Sequence, residues 1–246
     1  MRIGLLADIH ANREAFEAAL AALARRGVDQ YALLGDLVGY GPDPEWCVER
    51  AVRLFETGAI GILGNHDAAI DGSDEDMNRT AREAIAWTRS RLDASHRAVL
   101  RGLQVSHREK DSLFVHASAC HPTDWAYVTD AQRAEQSLRS TDARVTLVGH
   151  VHQAHLWRLM PSGPATGHQP FADLEIPLAA SQRWLAVIGS VGQSRDGKPG
   201  AAYGVLDLQK RTLLFGRVDY DHYTAARKVR EAGLPASLSE RLLRGL

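Results

Sequence analysis

Seven side chains able to hold a metal ion stand at or just after the ends of short β-rich runs. Asp8 and His10 follow Arg2 to Ala7, Gly35 and Asp36 follow Gln30 to Leu34, and Asn65 follows Ala59 to Leu63 and Gly64. His116 follows Asp111 to Val115, and Gly149, His150, Val151 and His152 follow Val145 to Val148. The carboxylates supply hard anionic oxygen, Asn65 a neutral carbonyl oxygen and the four histidines imidazole nitrogen. That is too many donors for one tetrahedral ion, but it suits two five- or six-coordinate ions sharing a bridging carboxylate. At the i, i+2 spacing of Asp8 with His10 and of His150 with His152, both side chains of a pair point to one side of an extended segment. A glycine before Asp36, before Asn65 and before His150 lets the backbone turn sharply and pass close to its neighbours.

For these residues to meet, the runs that precede them must lie side by side. The first third alternates β-rich runs with amphipathic helices, the pattern of a parallel sheet with crossover helices. In such a sheet the carboxyl ends of the strands share one crevice. Asn12 is expected to cap a helix whose Phe16, Ala19, Leu20 and Leu23 share a face and which ends at Gly27. A second helix, from about Glu45 to Glu56, has Asp43 as cap and Pro44 at its first position. Thr80 to Gly102 reads as two helices meeting around Asp93 to His96, and Ala131 to Arg139 as another. Strands are expected at Gln104 to Arg108 and Ala154 to Leu159, and Leu174 to Val218 reads as strand and turn. A polar helix from Tyr223 to Glu231 and a short tail close the chain. With no repeat, linker or low-complexity tract, residues 1–246 are expected to form a single domain.

Composition narrows the classes of function. The formal net charge of −1, from 29 basic and 30 acidic residues, gives no general field for polyanions, so bulk nucleic-acid binding is not expected. Cys47 and Cys120 form no C-x-x-C pair and are too few for a disulfide scaffold. Cys47 falls on an apolar helix face and reads as a core residue. No apolar stretch approaches a membrane span, and Asp8 interrupts the N-terminal run before it could serve as a signal peptide. A cytoplasmic enzyme or binding domain is the expectation.

The order and spacing of Asp8-Ile9-His10, Gly35-Asp36, Gly64-Asn65-His66-Asp67, His116 and Gly149-His150-Val151-His152 resemble the calcineurin-like metallophosphoesterase superfamily. The run Gly189-Ser190-Val191-Gly192-Gln193-Ser194-Arg195-Asp196-Gly197 is similar to its compact, cap-free bacterial and archaeal phosphodiesterase branch, so the likeness reaches from Arg2 to about Asp207. The resemblance implies an α/β fold (α+β by some schemes), a four-layer αββα sandwich with two mixed β-sheets. It implies one divalent ion on Asp8, His10, Asp36 and His152, and a second on Asp36, Asn65, His116 and His150. Mn²⁺ is the first expectation, and Fe, Zn²⁺, Ni²⁺ or Co²⁺ also suits the mixed donors. A hydroxide bridging the ions would attack a small phosphate-ester substrate, His66 would protonate the leaving oxygen, and Asp67 would orient His66.

Two divalent ions, two carboxylates and a hydroxide leave one net positive charge, which matches a phosphodiester. The protein-phosphatase branch carries an Asp and an Arg where this sequence has Gly39 and Tyr40. Both points tilt toward a diester unless Arg195 supplies a phosphate clamp. A phosphomonoester or dinucleoside-polyphosphate hydrolase is the alternative on the same site. A non-catalytic interaction scaffold is the alternative of another class, since related scaffolds have lost the histidine that His66 matches. Candidate substrate contacts are Asn12, unless it only caps its helix; Tyr40, which could stack on a ring or simply pack; His121, which lines the pocket or is exposed; and Arg195. His155 carries the same ambiguity as His121. His96, His107, His168 and His222 read as surface histidines. After His116, the run Ser118-Ala119-Cys120-His121-Pro122 departs from the Ser-Pro-Arg-like run common in the compact branch, so substrate preference does not carry over from relatives.

Overall fold

A computed structural model describes residues 1–246 and arranges them as two six-stranded mixed sheets packed face to face, with helices outside each. In the first sheet, β1 (Arg2–Leu6), β2 (Gln30–Leu33) and β3 (Ile60–Gly61) pair in parallel. β1 then continues into the antiparallel series β11 (Ala201–Asp207), β12 (Thr212–Val218) and β9 (Glu175–Pro177). The second sheet repeats this division. Its β5 (Ser112–Val115), β6 (Val145–Val148) and β10 (Arg183–Val187) are parallel, and β4 (Ser106–Glu109), β7 (His155–Leu159) and β8 (Thr166–His168) extend it antiparallel.

Period-2 patterning explains the layering. Ile3 and Leu5 of β1, Phe114 of β5, Leu147 of β6 and Ala186 of β10 point into the space between the sheets. Leu6 and Leu33 point the other way, onto α1 (Arg13–Arg25) and α2 (Pro44–Phe55), where Phe16, Leu20, Leu23, Cys47, Val48 and Ala51 meet them. Leu113, Val115, Leu185 and Val187 pack on Ala134 and Leu138 of α6 (Ala131–Arg139). A strand buried on both faces has no polar alternation, which is why these runs read as near-continuously apolar. The outcome is the four-layer sandwich. No helix is long and apolar enough to cross a membrane.

The helix between Thr80 and Gly102 divides as expected, into α4 (Arg79–Arg91) and α5 (Ala94–Arg101), with Asn78 and Asp93 accepting a first-turn amide each. The helices depart from expectation in two places. Asn65–Ala69 forms a five-residue helix, α3, too short for any periodicity to announce. The chain also closes on a helical pair rather than on a polar helix and a tail: α7 (His222–Glu231) buries Ala225, Ala226 and Val229 against Leu238 and Leu242 of α8 (Ala236–Arg244). Alanines carry the contact face of α7, so its apolar stripe is thin and easily read as polar.

Lys228 of α7 reaches Glu14 at 2.8 Å and also pairs with Asp43 before α2, all three being mostly buried. Lys228→Met would leave both carboxylates without a partner, and a loss of about 1–2 kcal/mol in unfolding free energy is expected. Urea unfolding measures it; an unchanged midpoint would mean that apolar contacts alone hold α7.

Candidate metal centre

All seven expected donors converge where the parallel halves of the two sheets open. Asp8 and His10 follow β1, Asp36 follows β2, and Asn65 begins α3 after β3; His116 follows β5, and His150 and His152 follow β6. Asp8, His10, Asp36, His116, His150 and His152 are all buried. They form three overlapping groups whose candidate ligand atoms lie within 4.8 Å of one another: Asp8, His10 and His152; His10, Asp36 and His66; Asp36, His116 and His150. Asp36 belongs to two of them.

Main-chain carbonyls set the direction of the imidazoles. Nδ1 of His10 lies 3.2 Å from Val38 O, Nδ1 of His116 2.7 Å from Leu34 O, and Nδ1 of His152 2.6 Å from Gln193 O. A carbonyl only accepts, so each Nδ1 carries the proton and each Nε2 presents a lone pair inward. Nε2 of His10 and Nε2 of His152 then face each other at 3.0 Å, and burial holds both rings well below the usual imidazole pKa, hence neutral. Nε2 of His116 meets only further potential acceptors: Asn65 Oδ1 at 3.2 Å, Nδ1 of His150 at 3.2 Å and Asp36 Oδ2 at 3.4 Å. Lone pairs and carboxylate oxygens gathered this closely repel unless a cation lies among them. The donor set therefore fits divalent metal, on both sides of Asp36.

Without that cation the same atoms compete for protons. Burial raises Asp8 to about 7 despite His116 nearby, and His150 is lowered to about 3, first by burial and then by His116. At His116 burial opposes the charge, but Asp36 outweighs it and raises the ring to about 9. Asp36 is held well below the usual carboxylate range because its histidine neighbours, His116 first, outweigh its burial.

Backbone geometry brings the donors this near. Asp8, His10, Asp36, His150 and His152 all have left-handed backbone, with φ of 54°, 48°, 55°, 66° and 64°. Gly64 passes so close to Asp36 that an added Cβ would lie 2.1 Å from Oδ1. The Asp8 carboxylate accepts from His150 N at 2.9 Å, and Asp36 Oδ1 accepts from His66 N at 2.8 Å, which leaves each carboxylate with capacity directed inward.

Other expected residues have different surroundings. Asp67 does not touch the His66 ring: its oxygens accept from Val38 N at 3.2 Å and Gly64 N at 3.1 Å, and Nδ1 of His66 is buried with no partner. Asp67 thus ties the loop after β2 to the start of α3, because at the third position of that helix its side chain turns back onto the exposed first amides. Asn12 caps α1 through Ala15 N at 3.1 Å and donates to Gly192 O at 2.8 Å and to Tyr220 Oη at 3.2 Å, so its amide is engaged inside the protein. Tyr40 is buried, with its ring 4.6 Å from that of His10 and 4.4 Å from that of His66; it packs on the histidines rather than offering an open stacking face. His121 is exposed, and His155 stacks on Trp157 at 4.2 Å; neither joins the donors. Arg195 does reach the edge of the site: its guanidinium lies 5.8 Å from the centroid of the Tyr40 ring, which packs on His10 and His66, and Gln193 Oε1 accepts from its Nε at 3.3 Å and its Nη2 at 3.0 Å.

Two aromatic residues here were not expected. Tyr127 stacks on His150, centroids 3.9 Å apart, and Trp125 sets its edge on His116 at 5.9 Å. Their only signal was two aromatic residues in the loop that follows the His116 motif.

The combination of fold and donor set defines a metallophosphoesterase, and comparison with known proteins agrees. The model of the calcineurin-like phosphoesterase superfamily domain matches residues 1–211. A metallophosphoesterase of Sphaerobacter thermophilus with a crystal structure is 36% identical with a TM-score of 0.88, covering 100% of this chain and 99% of its own. A protein of Methanocaldococcus jannaschii described as uncharacterized is 30% identical over 249 residues, 99% of this chain and 98% of its own. A hypothetical protein of Pyrococcus horikoshii shares the fold at 20% identity and a TM-score of 0.81, over 100% of this chain and 98% of its own. The chain belongs to the calcineurin-like phosphoesterase superfamily, and its general chemistry is metal-dependent hydrolysis of phosphate esters.

Gly64→Ala is expected to displace the Asp36 carboxylate and weaken metal binding by roughly 10–100-fold while the circular dichroism spectrum stays that of the parent. Metal analysis after dialysis reads this; full retention of metal would show that the Gly64 backbone can retreat. In the parent, adding Mn²⁺ to chelator-treated protein should raise Tm, since the ion binds a donor set that the unfolded chain lacks.

Proposed function

We propose that the protein hydrolyses a phosphodiester using two divalent ions, one held by Asp8, His10, Asp36 and His152 and the other by Asp36, Asn65, His116 and His150. The observation that carries this reading is the position of Asp36 between two clusters of inward-facing acceptors. When bound, the ions would supply positive charge to the phosphoryl oxygens and acidify the attacking water toward hydroxide at neutral pH. Mn²⁺ is the first candidate among Mn²⁺, Fe, Co²⁺, Ni²⁺ and Zn²⁺.

The chain's own residues do the rest. His66 is the proton donor to the leaving oxygen; its ring stands beside His10 in the centre, and no carboxylate or carbonyl holds its Nδ1. Asp67 acts by positioning the first turn of α3, from which His66 projects, rather than by touching the ring. Arg195 binds a non-bridging phosphoryl oxygen, and Gln193 holds its guanidinium in place while its own carbonyl fixes the His152 ring.

Arg195 also favours a second reading. Its charge raises the site's net positive charge from one to two, a match for the dianion of a phosphomonoester or for a dinucleoside polyphosphate. Turnover of aryl monoesters, aryl diesters and dinucleoside polyphosphates by the Mn²⁺-loaded protein separates the readings; absence of turnover on all three, with metal bound, would favour an interaction scaffold instead.

His66→Ala should keep its metal and lose about 10²–10⁴-fold in kcat on an alkyl diester, with a smaller loss on a p-nitrophenyl ester whose leaving group needs little protonation. Equal activity of mutant and parent on the alkyl diester would remove His66 from the acid role. Arg195→Gln should raise KM more than it lowers kcat, and leave metal content unchanged.

A further inference from the structure

The centre is covered differently on its two sides. Around His10 and His66, Tyr40 is buried, and α7 and α8 pack behind it through Val229, Leu238 and Leu242. Around His116 and His150 the cover is the loop between β5 and α6. It makes a tight turn at Pro122–Asp124, bracketed by the left-handed residues His121 (φ 48°) and Trp125 (φ 52°). This turn commits Trp125 and Tyr127 to the two histidine rings.

Tyr127 nevertheless remains 44% exposed, although one face of its ring lies on the buried His150. It forms one wall of a cleft of about 320 Å³ whose other walls include Ser118, Cys120, His121, Asp124 and Arg133. That volume is in the range of small-molecule sites. The rim offers donors and acceptors in near balance of charge, and Arg133 is already engaged within its own segment, 3.6 Å from the Asp130 carboxylate and 3.4 Å from Tyr127 O and Thr129 Oγ1. Such a lining suits a flat group with a polar, uncharged edge, as a nucleobase has, better than a second phosphate.

We infer that this cleft receives the ester substituent that stays on phosphorus, and that the substituent is a planar aromatic group, a nucleoside in the first instance, held beside Tyr127. The inference rests on the diester reading above. His66, the proton donor, lies against His10 and Tyr40, which sets the leaving group on that side of the centre; the retained substituent then points to the side of His116 and His150, where Tyr127 stands over the His150 ring. A monoester would leave the cleft empty.

The test holds the leaving group constant. With Mn²⁺-loaded protein, kcat/KM is compared for thymidine 5′-(p-nitrophenyl) phosphate and methyl p-nitrophenyl phosphate. The nucleoside ester should be preferred by about tenfold or more, mostly through KM, as base stacking on an aromatic ring commonly gives. Tyr127→Leu should reduce that preference to about twofold or less, and Tyr127→Phe, which keeps the ring, should restore it. No preference in the parent, or equal losses on both esters in Tyr127→Leu, would overturn the cleft assignment and leave Tyr127 as a support for His150, with the diester reading intact. If neither diester is cleaved, the diester reading fails separately. Calorimetry of thymidine 5′-monophosphate against methyl phosphate, in the parent and Tyr127→Leu, then still reads the cleft: equal affinities in the parent overturn it.

Discussion

The geometry of the centre depends on three hydrogen bonds from imidazole to main chain. Leu34 O, Val38 O and Gln193 O each engage Nδ1 of a histidine, and in doing so decide that Nε2 faces inward as an acceptor. The carbonyls belong to loops that follow β2 and β10, so the backbone, rather than any side-chain partner, chooses the chemistry. Everything else accommodates that choice. Gly64 and Gly149 give the carboxylates room, and amides of His66 and His150 hold one edge of Asp36 and of Asp8.

The same arrangement explains why the protein's near-zero net charge says little about its affinity for phosphate. Many basic side chains are paired at the surface, whereas the interior gathers two carboxylates and a cluster of imidazoles. Such a group is electrostatically incomplete on its own. The upward displacement of Asp8, by burial, and of His116, by Asp36, follows from that incompleteness, since both shifts favour a proton where a cation would otherwise serve.

Much of this was legible in the sequence because strand ends are local events. A short apolar run followed by glycine, carboxylate or histidine reports its own position, and Val145–Val148 and Ala131–Arg139 have the expected bounds. What the sequence hid is long-range or small. The pairing of Arg2 with Asp207, which joins the parallel and antiparallel halves, leaves no local mark. The two sheets were therefore separable only through the family likeness. Asp67 sits beside His66 in the chain, yet helical geometry turns its carboxylate toward Gly64 and Val38. Tyr127 reaches His150 through the fold alone, from a loop whose two left-handed turns no propensity announces.

The left-handed backbone at Asp8, His10, Asp36, His150 and His152 has a consequence for inheritance. Each such residue costs of order 1–3 kcal/mol relative to a relaxed conformation. Glycine would occupy the same positions with less strain. The protein therefore keeps its donors against a standing gradient toward greater stability. A descendant freed from the need to bind metal would not simply drift at these positions; it would be drawn away from them, and the loss of the centre would be hard to reverse.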